Sequence, residues 1–193
     1  MKSFLAALQF LTIIPIKIKN IEGNHLSRSL IYFPAVGLIL GLILLGINKL
    51  LLFLNFAEFS LSIILVVSLI ILTGGIHLDG LSDTFDALLS RKNKEEMLKI
   101  MRDSHVGVMG TLSIISVLLL KISFLYSIGI SLKPISLILM CLLSKWGMVF
   151  SMYLFPYARE EGKAKVFIAG INLKIFILSS LIMLIPTFFI WNL

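Results

Sequence analysis

Thr73-Gly74-Gly75-Ile76-His77-Leu78-Asp79-Gly80-Leu81-Ser82-Asp83-Thr84-Phe85-Asp86 decides how the rest of the sequence is read. An apolar run ends in it, and three carboxylates follow at spacings of four and three. On an α-helix, residues i, i+4 and i+7 share a face. Asp79, Asp83 and Asp86 then fall within an arc of about 60° at 3.6 residues per turn. Like charges that close repel unless a cation lies between them. The simplest such cation is a hard divalent ion with oxygen ligands, Mg2+ or alternatively Mn2+, rather than zinc. A solvated polar helix face could also carry these acids. Gly74, Gly75 and Gly80 lower the helix propensity of the stretch, however, and His77 adds a polar group suited to hydrogen bonding or acid–base work.

The chain has 193 residues, 59% of them hydrophobic and 14% charged, with a mean hydropathy of +1.05. Those values exclude an ordinary soluble domain and indicate an all-α, polytopic membrane protein. Five apolar runs are long enough to span a bilayer: Leu30–Leu54, Phe59–Gly75, Gly107–Ser131, Pro134–Phe155 and Leu173–Trp191. The second is the shortest and is expected to continue into the aspartate stretch. Met1 to Ile18 resembles a signal peptide, but no small-x-small site follows and Lys17 and Lys19 flank its far end. It reads instead as an interfacial or re-entrant helix broken near Pro15. No repeat or linker divides the chain, so residues 1–193 are expected to form a single membrane-embedded domain. The lone cysteine, Cys141, lies in an apolar run and reads as a buried small hydrophobe.

Lysine and arginine concentrate in three segments: before the first span, between the second and third, and between the fourth and fifth. The positive-inside rule places all three, with the aspartates, in the cytoplasm. This distribution accounts for the net charge of +7 without nucleic acid. Asn93 can cap a surface helix from Lys94 to about Arg102, with Met97, Leu98 and Met101 as its apolar stripe. That helix delivers Asp103-Ser104-His105-Val106-Gly107-Val108-Met109-Gly110 to the third span. The two glycines allow a tight turn and a close backbone approach to a ligand. Gly37 and Gly41, a small-xxx-small pair in the first span, are expected to pack helices. Lys121 and Lys145 lie near the middle of the third and fourth spans. A central charge costs about 3 kcal/mol on insertion scales, so Lys145 is expected to face a polar cavity, while for Lys121 a cavity and snorkelling to the interface are equally open. No P-loop, dinucleotide fingerprint or Ser/His/Asp set is present. The residues alone point to metal-dependent phosphoryl or phospho-alcohol transfer at the cytoplasmic membrane face.

The words Thr73 to Thr84 and Met97-Leu98-Lys99-Ile100-Met101-Arg102-Asp103-Ser104-His105-Val106-Gly107 closely resemble the cobalamin synthase family, the adenosylcobinamide-GDP ribazoletransferases. Phe33-Pro34-Ala35-Val36-Gly37 and Tyr157-Ala158-Arg159-Glu160-Glu161-Gly162 also match. The resemblance implies that a ribose hydroxyl of α-ribazole, or of its 5′-phosphate, attacks the phosphate borne by adenosylcobinamide-GDP. GMP leaves and adenosylcobalamin, or its 5′-phosphate, forms. It also implies Mg2+ and a multi-pass protein of a bacterial or archaeal cytoplasmic (inner) membrane. An oligomer is compatible with it. Carried onto this sequence, the resemblance makes Asp79, Asp83, Asp86 and Asp103 metal ligands. His77, Asp79, Asp83 and Lys145 become the catalytic set. Gly74, Gly75, Arg102, Ser104, His105, Gly107, Lys121, Arg159 and Glu160 become substrate-binding positions. This chain departs from the family in several places. Ile13 and Lys145 stand where arginine is usual, and Ala87 and Ala164 where glycine is usual. It is also expected to lack a C-terminal segment carrying a further Thr-Gly-Asp word. Two other readings fit a membrane protein rich in aspartate: a divalent-cation transporter component, and a non-catalytic membrane anchor for cobalamin-assembly enzymes.

Overall fold

The computed structural model describes residues 1–16, 23–158, 162 and 164–191. Its helices, in chain order, are α1 (Lys2–Leu11), α2 (Gly23–Ser29), α3 (Phe33–Phe53), α4 (Glu58–Thr73), α5 (Ile76–Leu89), α6 (Lys94–Ile100), α7 (Val108–Ser127), α8 (Lys133–Leu154), α9 (Lys165–Ala169) and α10 (Leu173–Trp191). The protein is an all-α polytopic membrane protein, as its composition requires. A 30-residue stretch, Asn24–Phe53, is long and apolar enough to cross a bilayer, and so are α7, α8 and the α10 stretch Leu173–Ile190. Among the described residues a fifth crossing exists only if α4 and α5 are taken together, and these two helices meet at 92°. At 1.5 Å per residue the 16 residues of α4 rise about 24 Å, short of a full hydrocarbon core.

The chain forms two compact units, Met1–Asn55 with Ile130–Leu193, and Phe56–Gly129. In the first, α3 packs against α8. Pro34 lies in the first turn of α3, where its missing N–H leaves no intrahelical bond unmade. Gly37 and Gly41 are buried at the α3–α8 contact, the helix-packing role expected of the pair. A Cβ on Gly37 would stand 2.5 Å from the Cys141 carbonyl oxygen, and one on Gly41 2.7 Å from Ile138 Cα. Backbone cannot yield as a side chain can. Gly37→Ala is therefore expected to cost about 2–3 kcal/mol as the helices are forced apart. Gly46→Ala, with nothing within 4 Å of the new methyl, should be near neutral. Thermal unfolding of the two variants in detergent checks the contrast, and equal melting temperatures would count against close helix contact at Gly37. Cys141 is buried at the same contact, as expected of a small hydrophobe.

Around this pair, Trp146 Nε1 of α8 donates to Ser180 Oγ of α10 at 3.0 Å. Tyr153 stacks on Phe176 with ring centroids 4.6 Å apart. Phe10 of α1 contacts Phe33 and Phe167, which ties α1 to α3 and α9. The N-terminal helix ends at Leu11, four residues before Pro15, because Thr12 is already extended (φ −138°, ψ 162°).

In the second unit, α5 packs against α6 and α7, and α4 against α7. The turn from α4 to α5 follows from two glycines. Gly74 and Gly75 have φ of +64° and +67°, a region L side chains rarely enter. Gly74 N–H donates to the Ile71 carbonyl (3.0 Å) and Gly75 N–H to that of Ile70 (3.1 Å). This is a Schellman closure, which satisfies the last carbonyls of α4 and redirects the chain. The Gly75 carbonyl then accepts from the amides of Leu78 and Asp79 and starts α5. Asn93 caps α6 as its sequence predicts, with Oδ1 accepting from Glu96 N–H at 3.0 Å.

Candidate active site

The aspartate stretch lies within a helix, so Asp79, Asp83 and Asp86 do share one face of α5. Asp79 is exposed, Asp83 and Asp86 are half-buried, and His77 is exposed in the first turn of the helix. Gly74 and Gly75, expected to bind substrate, form the turn that sets this face off from the apolar α4.

Asp86 is engaged in a way its sequence context does not reveal. Its Oδ2 accepts from the Gly107 amide at 2.7 Å, and its Oδ1 from the Gly110 amide at 2.8 Å. These are orphan donors at the start of α7, where the helix dipole also favours negative charge. The carboxylate therefore caps a helix 21 to 24 residues away in sequence. The glycines follow from this contact. A Cβ on Gly107 would strike the Asp86 carboxylate, and one on Gly110 would strike both Asp86 and Ser82 Oγ. The close approach expected of this glycine pair is thus made to a carboxylate of the protein itself.

Asp103 occupies the loop between α6 and α7. Its Oδ1 accepts from the His105 amide at 3.1 Å and also meets the His105 ring Nδ1. The hydrogen bonds from His105 hold the Asp103 carboxyl below its ordinary 3.8, and the same side-chain bond raises the His105 imidazolium above 6.5. Arg102, Ser104, His105 and Gly107 are all exposed along this loop.

Within the second unit, one expected contributor stands apart from these groups. Lys121 is half-buried on α7, about 20 Å along the helix from Val108 at 1.5 Å per residue. It stands well away from the helix end that Asp86 caps. Lys145 belongs to the first unit, where it is buried on α8 with 5% exposure. Lys133, at the start of the same helix, is buried as well, which its place at a span end does not predict. Arg159 and Glu160 lie outside the described residues.

Fit to a divalent cation can be judged from the donors. Among the described residues no three His, Cys, Asp or Glu side chains converge as a metal site. Asp86 is committed to two amides and Asp103 to His105. Asp79 and Asp83 are carboxylates one turn apart on the same face, the first exposed and the second half-buried. Mg2+ is usually held by one or two carboxylates plus substrate phosphates, keeping several waters. That pair therefore fits Mg2+ carried in with a diphosphate, and does not fit a closed protein cage.

The family model for cobalamin-5-phosphate synthase matches residues 3–193. The chain is similar to proteins named adenosylcobinamide-GDP ribazoletransferase. That of Clostridioides difficile (strain 630) is 39% identical over 179 residues, covering 92% of this chain and 68% of the relative. That of Alkaliphilus metalliredigens (strain QYMF) is 39% identical over 187 residues, covering 94% and 72%. That of Escherichia coli O157:H7 is 39% identical over 176 residues, covering 89% and 71%. The chain thus spans about seven-tenths of the length of these relatives. No solved structure matches it.

Proposed function

The chain belongs to the cobalamin-5-phosphate synthase family, and on that membership we propose that it acts as an adenosylcobinamide-GDP ribazoletransferase built around the exposed face of α5. In this reading the substrates are adenosylcobinamide-GDP and α-ribazole or its 5′-phosphate. A ribose hydroxyl oxygen forms a bond to the phosphorus attached to cobinamide. The bond from that phosphorus to the GMP oxygen breaks, and GMP departs with the bonding electrons. The hydroxyl proton passes to a base, for which His77, exposed in the first turn of α5, is the candidate.

Asp79 and Asp83 would hold Mg2+ together with the diphosphate. The ion would supply neutralisation of the phosphate oxygens and of the charge building on the departing GMP. The work of the chain is positional. Asp86 fixes the start of α7 against α5, and with it the place of the Asp103–His105 loop. Protonated His105 beside Asp103 offers that loop a cation for a phosphate oxygen. The observation that carries the reading is the exposed Asp79 and half-exposed Asp83 on one helical face, turned off the end of an apolar helix by Gly74 and Gly75. By the distribution of lysine and arginine this face looks into the cytoplasm, so soluble substrates reach it from that side.

The test is direct: GMP release by the purified full chain from adenosylcobinamide-GDP and α-ribazole 5′-phosphate, with and without Mg2+. Release that needs both substrates and the metal supports the proposal. No release under any of these conditions, from well-folded protein, would sink it.

The loop pair gives this reading a pH dependence. His105, raised, contributes stability fully present below 6.5 and lost as pH rises through its folded value. Asp103, lowered, contributes stability present above 3.8 and lost as pH falls through its folded value. The charged pair therefore holds from the acid side of the carboxylate range to above the ordinary histidine value. Asp103→Asn is expected to move the His105 titration down toward 6.5, and to move the alkaline fall of the transfer rate in the same direction. The histidine C2 proton resonance reads the first effect. An unmoved midpoint would show that Asp103 does not hold the charge on His105.

A further inference from the structure

We propose that a cavity between α1 and α2, in the first unit, binds the phosphate headgroup of an anionic membrane lipid. The cavity has a volume of about 420 Å3 and is lined by Lys2, Ser3, His25, Arg28, Ile31 and Tyr32 among others. Among the described residues no carboxylate lines it, and Lys2, His25 and Arg28 have no acidic partner. His25 and Arg28 stand three residues apart on α2 and so project from one helical face. Lys2 approaches from the first turn of α1. Phe4 of α1 meets Tyr32 edge-on with ring centroids 5.8 Å apart, which holds the two sides of the cavity together. The Lys2 ammonium and Arg28 guanidinium around a hollow that also offers the His25 ring and the hydroxyls of Ser3 and Tyr32 match the oxygens of a phosphate ester. The guanidinium of Arg28 can take two of those oxygens at once.

The position favours a lipid over a soluble phosphate. All of α2 after Gly23, and the turn Leu30–Tyr32 that follows it, lie within the 30-residue stretch Asn24–Phe53 that is long enough to cross a bilayer, and His25 and Arg28 are in its first turns. That is headgroup depth, where lysine, arginine and tyrosine are enriched and basic pockets take anionic lipid headgroups. On α1, Ala6, Ala7 and Leu11 are buried against the protein, and the helix is too short to span, as for a helix lying in the interface. None of these residues belongs to the α5 site, so the inference stands apart from the transferase reading.

The experiment is native mass spectrometry of the full chain in detergent with equal amounts of phosphatidylglycerol and phosphatidylcholine, in the absence and presence of millimolar inorganic phosphate. One phosphatidylglycerol is expected to be retained in preference to phosphatidylcholine, with little displacement by phosphate. Lys2→Gln and Arg28→Gln should each lower that preference about fivefold, since a basic side chain near an anionic surface contributes that much. Arg28→Lys should restore part of it. Lys49→Gln, at an exposed lysine near the other end of α3, should change nothing. Equal retention of the two lipids, or a preference untouched by Lys2→Gln and Arg28→Gln, overturns the proposal. Complete displacement by inorganic phosphate would reassign the cavity to a soluble phosphate and overturn the lipid source. All the substituted side chains are exposed, and thermal unfolding in detergent confirms that each variant is folded.

Discussion

Asp79→Asn and Asp83→Asn are each expected to lower ribazole transfer about a thousandfold, while the protein still inserts and melts as wild type does. Asparagine keeps the size of aspartate and one acceptor oxygen, and neither side chain is buried. Stability should therefore change by no more than about 0.5 kcal/mol. What is lost is the negative charge that would retain a divalent cation against the diphosphate. About 4 kcal/mol of transition-state stabilisation corresponds to a thousandfold in rate, a reasonable magnitude for losing one charged contact to a metal–phosphate group. The measurement is initial rate against Mg2+ concentration at saturating substrates. The variants should need more Mg2+ and still reach a lower ceiling. Near-normal turnover in both at saturating Mg2+ would remove these carboxylates from the metal cradle. Vesicle-trapped metal would meanwhile separate this reading from a cation-transport one, because a transferase moves no metal across the bilayer.

Asp86→Ala is expected to fail differently. Its two oxygens accept from the Gly107 and Gly110 amides, and loss of the carboxylate leaves both donors at the start of α7 without that partner. A charge-assisted bond contributes about 1.5–3 kcal/mol and a helix cap about 1 kcal/mol. A loss of about 2–4 kcal/mol in stability is therefore expected. Activity should fall with it, since the Asp103–His105 loop precedes the capped turn, and added Mg2+ should not restore it. Gly110→Ala tests the same contact from the other side. Its methyl would strike Asp86 and Ser82, so it should lower the melting temperature in the same direction without touching any carboxylate. Unchanged melting in Asp86→Ala together with a raised Mg2+ requirement would return Asp86 to the ligand set. The Asp79 and Asp86 variants thus separate two roles that look alike in the sequence: the first should lose rate at constant stability, the second should lose stability first.

Hydropathy and helical period are enough to set the helices and much of where they stop. Apolar runs of about twenty residues have few alternatives in a bilayer, because every backbone polar group must be satisfied within the segment. Local chemistry determined the boundaries: Asn93 accepts from Glu96 three residues on, and Gly74 and Gly75 close α4 because only glycine enters their backbone region cheaply. The common face of Asp79, Asp83 and Asp86 also needed nothing beyond helical period. Pairings between distant residues follow from how the helices pack. Asp86 reads as a third ligand from its spacing, yet it caps a helix that begins more than 20 residues later. Gly107 and Gly110 are small because that carboxylate lies against them. The distance of Lys121 from the capped end of α7 likewise follows from which turn of the helix Asp86 meets. Period and propensity act within a few residues. Which donor a carboxylate meets depends on helix packing, and no local pattern around Asp86 encodes it.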